Sequence, residues 1–457
     1  MISTPQLVAN LPGRVIGPED PEYDQARTVF YGGFDRRPAV IVRVADAGDV
    51  SRVVSFAREA GLELAVRGGG HSVAGHGVSD GGVVLDLSEM RALDIDADRR
   101  AAWAEAGSTA GEYTSAAAER GLATGFGDTG SVGIGGITLS GGVGFLVRKH
   151  GLTIDSLQAA DVVTADGELL RADPETHPDL FWAIRGGGGN FGVATRFQFR
   201  LHELESFVGG FLVLPANPDV IASFVAEAEA APNELSTIAN VMPAPPLPFL
   251  PAEHHGRLVV LALLGYAGRV EDGRRAIAPF RALATPIADL VRPMSYPEMY
   301  PPEEGGYHPV AVARTMFLDT VDSRAAETMV DHLEAATATM AVTQIRVLGG
   351  AVARVSPGAT AYAHRQSRIM VNVAALYERD EERVAHQAWV DALAGALRQR
   401  DAGAYVGFLG DEGEERVRAA YPGSTWDRLA AIKARYDPGN LFRLNQNIPP
   451  AAGDRER

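Results

Sequence analysis

The sequence predicts an α+β protein in more than one domain, and three observations lead there. A compact strand–helix–strand pattern opens at Ala39, glycine is concentrated in clusters that all precede residue 195, and after about Leu204 the chain turns to longer alternations of strand and helix. The length of 457 residues fits two or three domains at roughly 100–200 residues each.

Residues 39–44 (AVIVRV) read as a buried strand, Asp46–Ala60 as a helix with Val50, Val53, Val54 and Phe56 near helical spacing, and residues 62–66 (LELAV) as a second strand. Gly61 closes that helix, because glycine tolerates the left-handed conformation such ends adopt. GGVVLDL, AAWAEAG and LQAADVVTADGELL follow as strands; a helix from Thr109 to Arg120 is expected to be capped by Ser108 and stopped by Gly121. Beyond Leu204, FVGGFLVL and RLVVLALLGYAG read as strands, with helices at 218–231 and 323–336. The stretch MSYPEMYPPEEGGYHP follows neither periodicity and reads as a surface loop of the kind that can border a binding site. A last helix, TWDRLAAIKARY, runs into the turn Asp437-Pro438-Gly439-Asn440 and the polar tail FRLNQNIP, which is expected to dock on the rest of the molecule.

Composition narrows the function. The chain has no cysteine, which excludes disulfides, thiolate metal sites and cysteine nucleophiles. A formal charge of −16 argues against nucleic-acid and anionic-membrane partners, which need clustered Lys and Arg. Hydrophobic residues at 46% and charged residues at 22% are ordinary globular values, and no apolar run of about 18 residues is present. The expectation is a soluble protein acting on a small molecule. The first 25 residues show no secretory signal pattern, so a cytoplasmic location is expected. Oligomeric state is not indicated.

The glycine clusters are RGGGHSVAGHG, GFGDTGSVGIGGITLSGGVG and RGGGGNFG. Successive backbone N–H groups in such loops can bind a pyrophosphate without a cationic side chain. The first cluster follows a strand, but more glycine and another strand come next, so a dinucleotide fingerprint opening a helix does not fit. Taken alone, the clusters are equally compatible with tight turns.

Read together and in order, RGGGHS, then GDTGSVGIGGITLSGGVGFLVRKHGLTIDSL, then DLFWAIRGGGGNFGV and finally YDPGNLFRLNQNIP resemble the FAD-linked oxidase family that includes vanillyl-alcohol oxidase, in its berberine-bridge-enzyme-like branch. The resemblance covers about 36–205 and 400–450. It implies a lead-in at 1–35, a PCMH-type FAD-binding domain of two subdomains at 36–205, a substrate domain at 206–400 with an antiparallel sheet covered by helices, and a C-terminal segment at 401–457 returning to the FAD domain. It further implies that Arg67, Gly68, Gly69, Gly70 and His71, with Ser72, hold the FAD pyrophosphate region, and that His71 carries the flavin 8α-methyl covalently. His76 is a weaker alternative for the attachment. Many relatives form a second, cysteinyl link at the position of Thr129, so only a single link is possible here. Ser131, Gly133, Gly135, Gly136, Gly141 and Gly142 would let backbone pass close to the cofactor, and Asp155, Val193, Asn445 and Asn447 would meet it elsewhere.

By the same resemblance the activity is hydride transfer from a C–H beside oxygen or nitrogen to the flavin, with O2 as acceptor and H2O2 as product. Val132 stands where a valine is associated with oxygen access; it also fits as simple packing, which leaves a dehydrogenase open. Tyr405 is the candidate base and equally a candidate core residue, while Asn445 and Asn447 are candidates to orient the substrate or flavin edge. Gly407 replaces an asparagine common in bacterial members. The strand TQIRVLGG carries Gln344, Arg346 and Leu348 where nicotine-oxidising members place carboxylates, which disfavours amine substrates. Facing inward, Arg346 would suit an anionic, phenolic or carbonyl-bearing substrate; facing outward, it would be a solvated strand residue. An oxygenating flavoenzyme and a non-catalytic flavin-binding protein are the competing classes.

Overall fold

The computed structural model describes Leu11 and residues 14–300 and 306–452. Much of the start of the chain read for a secretory signal, and Pro301–Gly305 of the expected loop, lie outside those residues.

Val40–Arg43 and Leu64–Arg67 both pair in parallel with Val83–Asp86, and Val15–Ile16 adds an antiparallel edge. The helix Ala47–Ala60 makes the crossover. Asp46 caps it by accepting from the Asp49 N–H at 2.9 Å, Gly61 ends it at a φ of 65°, and Val50, Val53, Val54 and Ala57 are buried along one stripe. A second sheet of five antiparallel strands follows the order Leu93–Asp96, Ala101–Glu105, Val193–Arg200, Leu157–Val163, Leu169–Ala172. Leu93–Asp96 had no sequence signal: four residues with two aspartates show neither an apolar run nor enough length for a period. The helix Ala110–Ala118 is capped by Thr109 rather than Ser108. Thr109 accepts from the Glu112 N–H while the Glu112 carboxylate accepts from the Thr109 N–H, a reciprocal pair that a serine one residue earlier cannot make.

Between 207 and 397 an eight-stranded antiparallel sheet is covered on one face by helices Pro218–Ala230, Val270–Arg281, Ser323–Glu334 and Arg383–Leu397. Alternation along its central strands separates the faces. Ala341, Ile345, Val347, Val371, Val373 and Ala375 pack toward the helices, while Gln344, Arg346, Asn372, Ala374 and Leu376 point to a cavity on the other side.

The stretch expected to be a surface loop is partly inside. Met294 ends a short strand, Tyr296–Met299 form a turn of 3₁₀ helix, and Tyr296 and Met299 are buried against Phe145, Phe207 and Ile238. Two tyrosines and two methionines in an aperiodic stretch supply anchoring area that periodicity cannot register. Among the described residues no helix is long and apolar enough to cross a membrane.

Candidate active site

The glycine loops occupy one wall of a cavity of about 570 Å³, a volume typical of cofactor sites. The first loop leaves the strand Leu64–Arg67 and crosses the segment Ser131–Gly133 with almost no separation. A Cβ on Gly69 would lie 2.3 Å from the Gly133 nitrogen, and one on Gly133 would lie 2.4 Å from the Gly69 nitrogen. Two backbones can cross this closely only if both residues lack side chains.

At that crossing His71 is held on two sides. Its Nε2 and the Ser131 hydroxyl share a 2.8 Å hydrogen bond, and its ring stacks on Phe30 at 4.0 Å between centroids. Phe30 and Tyr31, from the segment expected to be a lead-in, therefore form part of the cavity wall, as do Tyr307 and Pro309. His308 reinforces that edge through 3.0 and 3.2 Å hydrogen bonds to the Val29 and Phe30 carbonyls. His76 also borders the cavity, where burial, with help from the Arg36 charge, pushes its pKa down to about 4.

Arg67, Gly68, Gly69, Gly70, Ser72, Thr129, Val132, Gly133, Gly135, Gly136, Val193, Arg346, Tyr405 and Asn445 all line the cavity. Other residues expected at the cofactor do not border it. Ser131 acts through His71, and Asn447 is outside the lining. Gly142 packs against Thr153, whose Oγ1 would be 1.9 Å from a Cβ, and Gly141 packs on the rings of Tyr362 and Tyr405. Asp155 accepts a bidentate pair of hydrogen bonds from the fully buried Arg365, at 2.7 and 2.8 Å, and a third from the Leu152 N–H. Their placement is that of supports behind the wall. Arg67 is likewise committed, donating to Asp86 at 2.7 Å.

The third cluster is fastened by the C-terminal segment. Lys433 and Asp437 are fully buried and 2.6 Å apart, and Lys433 also donates to the Asn190 and Phe442 carbonyls at 2.8 Å. Asp437 in turn accepts from the Leu441 and Phe442 N–H groups at 2.8 Å. The Asn190 side chain accepts from Ile448 and donates to the Gln446 carbonyl. The expected docking of the tail is this network, and it brings Asn445 to the cavity with its Nδ2 donating to the Gly189 carbonyl at 3.3 Å.

On the opposite wall Arg346 faces inward, with 4% of its side chain exposed. It donates to the Asp128 carboxylate at 2.5 Å and to the Gln344 side chain, and it lies over the Phe408 ring at 4.8 Å. Gln344 in turn donates to Asn240 at 2.9 Å. Leu348, the third position on that strand, is buried with Val143, Tyr362 and Tyr405 instead. A carboxylate does meet this strand, but it comes from Asp128, in the segment GFGDTG, and is paired with Arg346. Sequence reading passed it over because only the fold brings residue 128 to residue 346. Tyr405 accepts from the Gly142 N–H at 3.0 Å, and burial pushes its pKa up to about 12. Its ring also explains Gly407, whose Cβ would fall 2.8 Å from it.

These residues fit an FAD. Cβ positions at Gly136 and Gly189 meet no atom within 4 Å although both glycines line the cavity, so each leaves room for a group to lie on the backbone. Arg67 Nη1 and Asn445 Oδ1, on two residues of the lining, are buried with no hydrogen-bond partner among the described residues, a state that native sites rarely leave unanswered. No group of acidic or histidine side chains suited to a metal ion occurs among the described residues.

Comparison with known proteins agrees with this geometry. Residues 38–173 match the FAD binding domain family, and residues 404–449 match the family described as berberine and berberine like. The chain is 31% identical to (R)-6-hydroxynicotine oxidase of Paenarthrobacter nicotinovorans over 96% of its own length and 97% of that protein's. It is 30% identical to xylooligosaccharide oxidase of Thermothelomyces thermophilus, covering 91% and 88%. The crystal structure of 6-hydroxy-D-nicotine oxidase from Arthrobacter nicotinovorans superposes with a TM-score of 0.86 at 28% identity, covering 96% of this chain and 98% of that one. With both family segments in place around one cavity, and with full-length likeness to such oxidases, the chain belongs to the berberine-bridge-enzyme-like branch of the FAD-linked oxidoreductases.

Proposed function

We propose that this chain is an oxidase that carries FAD on a single covalent link to His71 and oxidises a small hydroxyl-bearing organic molecule. The observation that carries the reading is the placement of His71. It stands at the cavity wall, where two glycine backbones cross, with Nε2 held by Ser131 and its ring held by Phe30. A histidine ring fixed in this way holds one orientation at the wall, as attachment to a flavin methyl requires. His76 is the poorer candidate, because nothing comparable among the described residues orients its ring.

Bound there, FAD would supply the hydride acceptor, with O2 as the final acceptor and H2O2 as the product. The chain supplies the rest. The backbone of Gly68–Gly70, Gly133, Gly135 and Gly136, with the side chains of Arg67, Ser72, Thr129, Val193 and Asn445, would hold the cofactor. Asn447 would support Asn445, and Val132 would leave room for oxygen. Gly141, Gly142 and Asp155 hold Tyr405 and the surrounding wall in place. Arg346 acts on the substrate side with Asp128. The names of two relatives, a hydroxynicotine oxidase and a xylooligosaccharide oxidase, span an amine-bearing ring and a sugar; the paired charges of this cavity favour the neutral, hydroxylated kind.

Acid precipitation of the purified protein tests the link. Yellow colour stays with the pellet of the native chain and is lost from the His71→Ala pellet; colour released from the native protein overturns the covalent reading. Rapid mixing of the reduced enzyme with air tests the acceptor: prompt reoxidation is expected, and negligible reoxidation makes the protein a dehydrogenase.

A further inference from the structure

Three charged side chains line the cavity among the described residues: Arg67, Asp128 and Arg346. Arg67 is neutralised by Asp86 at 2.7 Å, and Arg346 by Asp128 at 2.5 Å. His76, with its pKa pushed down to about 4, is uncharged at neutral pH. The described wall therefore carries no uncompensated charge. A carboxylate or ammonium entering this space would lose its hydration and find no free counter-ion among the described residues, a cost that an uncharged molecule does not meet.

The two members of the pair on the sheet side differ in what they can offer. Arg346 is almost wholly buried; its Nη atoms are committed to Asp128 and Gln344, and its Nε is enclosed. The Asp128 side chain is 25% exposed. One carboxylate oxygen takes the arginine, and the other meets only the Thr129 hydroxyl at a long 3.5 Å among the described residues. Asp128 thus presents a fixed acceptor to the cavity with its charge already balanced from behind. Such an acceptor suits an O–H donor, whereas an unbalanced carboxylate would suit an ammonium.

Resting on the oxidase reading above, we infer that Asp128, clamped by Arg346, accepts the hydrogen bond of the substrate's hydroxyl and that the pair restricts the cavity to uncharged, hydroxyl-bearing molecules. Arg346 is a positioning residue: its charge cancels that of Asp128, and its stacking on Phe408 and bond to Gln344 fix the carboxylate.

Three probes of one shape test this on the FAD-loaded protein at neutral pH: benzyl alcohol, benzylammonium and benzoate, with dissociation constants from titration calorimetry, so that turnover is not needed. Benzyl alcohol is expected to bind the native protein at least about tenfold more tightly than either ion. Asp128→Asn leaves Arg346 unbalanced and moves the ratio about tenfold or more toward benzoate; Arg346→Met leaves Asp128 unbalanced and moves it as far toward benzylammonium. The double variant Asp128→Asn/Arg346→Gln removes both charges together and keeps both ions weaker than the alcohol, which provides a test if a single variant does not fold. The inference is overturned if benzyl alcohol does not lead in the native protein, if folded single variants leave the order unchanged, or if an ion binds the double variant ahead of the alcohol. Pellet colour after acid precipitation is read separately, so failure of the flavin link and failure of this selectivity are distinguishable.

Discussion

On the glycine side of the cavity much of the lining is main chain: Gly68–Gly70, Gly133, Gly135, Gly136, Gly188 and Gly189 present backbone to the space. On the sheet side the lining is side chain: Gln344, Arg346 and Asn372, from two neighbouring strands, with Phe408 closing over them. The first wall derives its shape from what residues lack and the second from what they carry. A backbone wall accepts a large cofactor through repeated N–H groups and does little to discriminate among substrates. A side-chain wall can change its charge pattern by one substitution without altering its outline, which is how relatives sharing a fold can differ in what they oxidise.

The hardest blow to the glycine wall should come from behind it. Lys433→Met removes one partner of a pair that is wholly buried and leaves Asp437 charged in the interior, with the two backbone donors at Leu441 and Phe442. A loss of about 3–5 kcal/mol is expected in urea unfolding. The Asn190 carbonyl loses its donor as well, so flavin content should fall along with stability. A loss below about 1 kcal/mol would mean that the C-terminal segment does not depend on this pair.

Two glycines on the same wall should separate folding from cofactor binding. Gly133→Ala drives a Cβ to 2.4 Å from the Gly69 nitrogen, and because the neighbour is backbone it cannot step aside. A destabilisation of about 1–3 kcal/mol and loss of bound flavin are expected together. Gly136 lies in the helix Ile134–Ser140, and its Cβ would meet nothing within 4 Å. Gly136→Ala should therefore stabilise the flavin-free protein by about 0.5–1 kcal/mol through helix preference, yet weaken FAD binding. Unchanged flavin content in a folded Gly136→Ala variant would place the cofactor away from this helix.

The unequal legibility of the two walls follows from the same contrast. Gly69 and Gly133 were visible because close backbone approach demands glycine wherever it happens, so the requirement is printed locally in RGGGHS and SVGIGG. The helix Ala47–Ala60 was visible for a similar reason, since its cap, apolar stripe and terminal glycine are all contiguous. Asp128 lies within a legible motif, yet nothing local marks its role, because its partner is 218 residues away and only the chain's return brings them together. The direction of Arg346 stayed undecided for want of register. Once Gln344 pairs with Asn240 on one strand and Asn372 on the other, the polar positions fall on one face and the arginine must point inward with them. Thr109 took the capping role from Ser108 because the decisive residue, Glu112, has to be three positions beyond the cap.

Tyr405 yields the smallest expected effect, and it bears most directly on how the sheet wall works. Its hydroxyl accepts from the Gly142 N–H at 3.0 Å, and its ring fills the space that Gly141 and Gly407 leave open. Burial is the largest influence on its pKa. The Gly142 bond and the Arg346 charge pull the other way and do not overcome it, so the phenol is held up at about 12 and stays protonated at any pH at which the fold would be assayed. A group in that state is a hydrogen-bonded strut and a poor base, because general bases work best near the operating pH. Tyr405→Phe keeps the ring and leaves one backbone N–H without its acceptor, so stability should fall by about 1 kcal/mol in thermal or urea unfolding. The steady-state rate should fall by less than about tenfold, and the pH–rate profile should keep its shape up to about pH 10; removal of a true general base costs roughly a hundredfold or more. A collapse of that size, with loss of an alkaline limb in the profile, would instead assign proton removal to Tyr405 and leave the Asp128–Arg346 pair as the partner of the substrate hydroxyl and a charge filter.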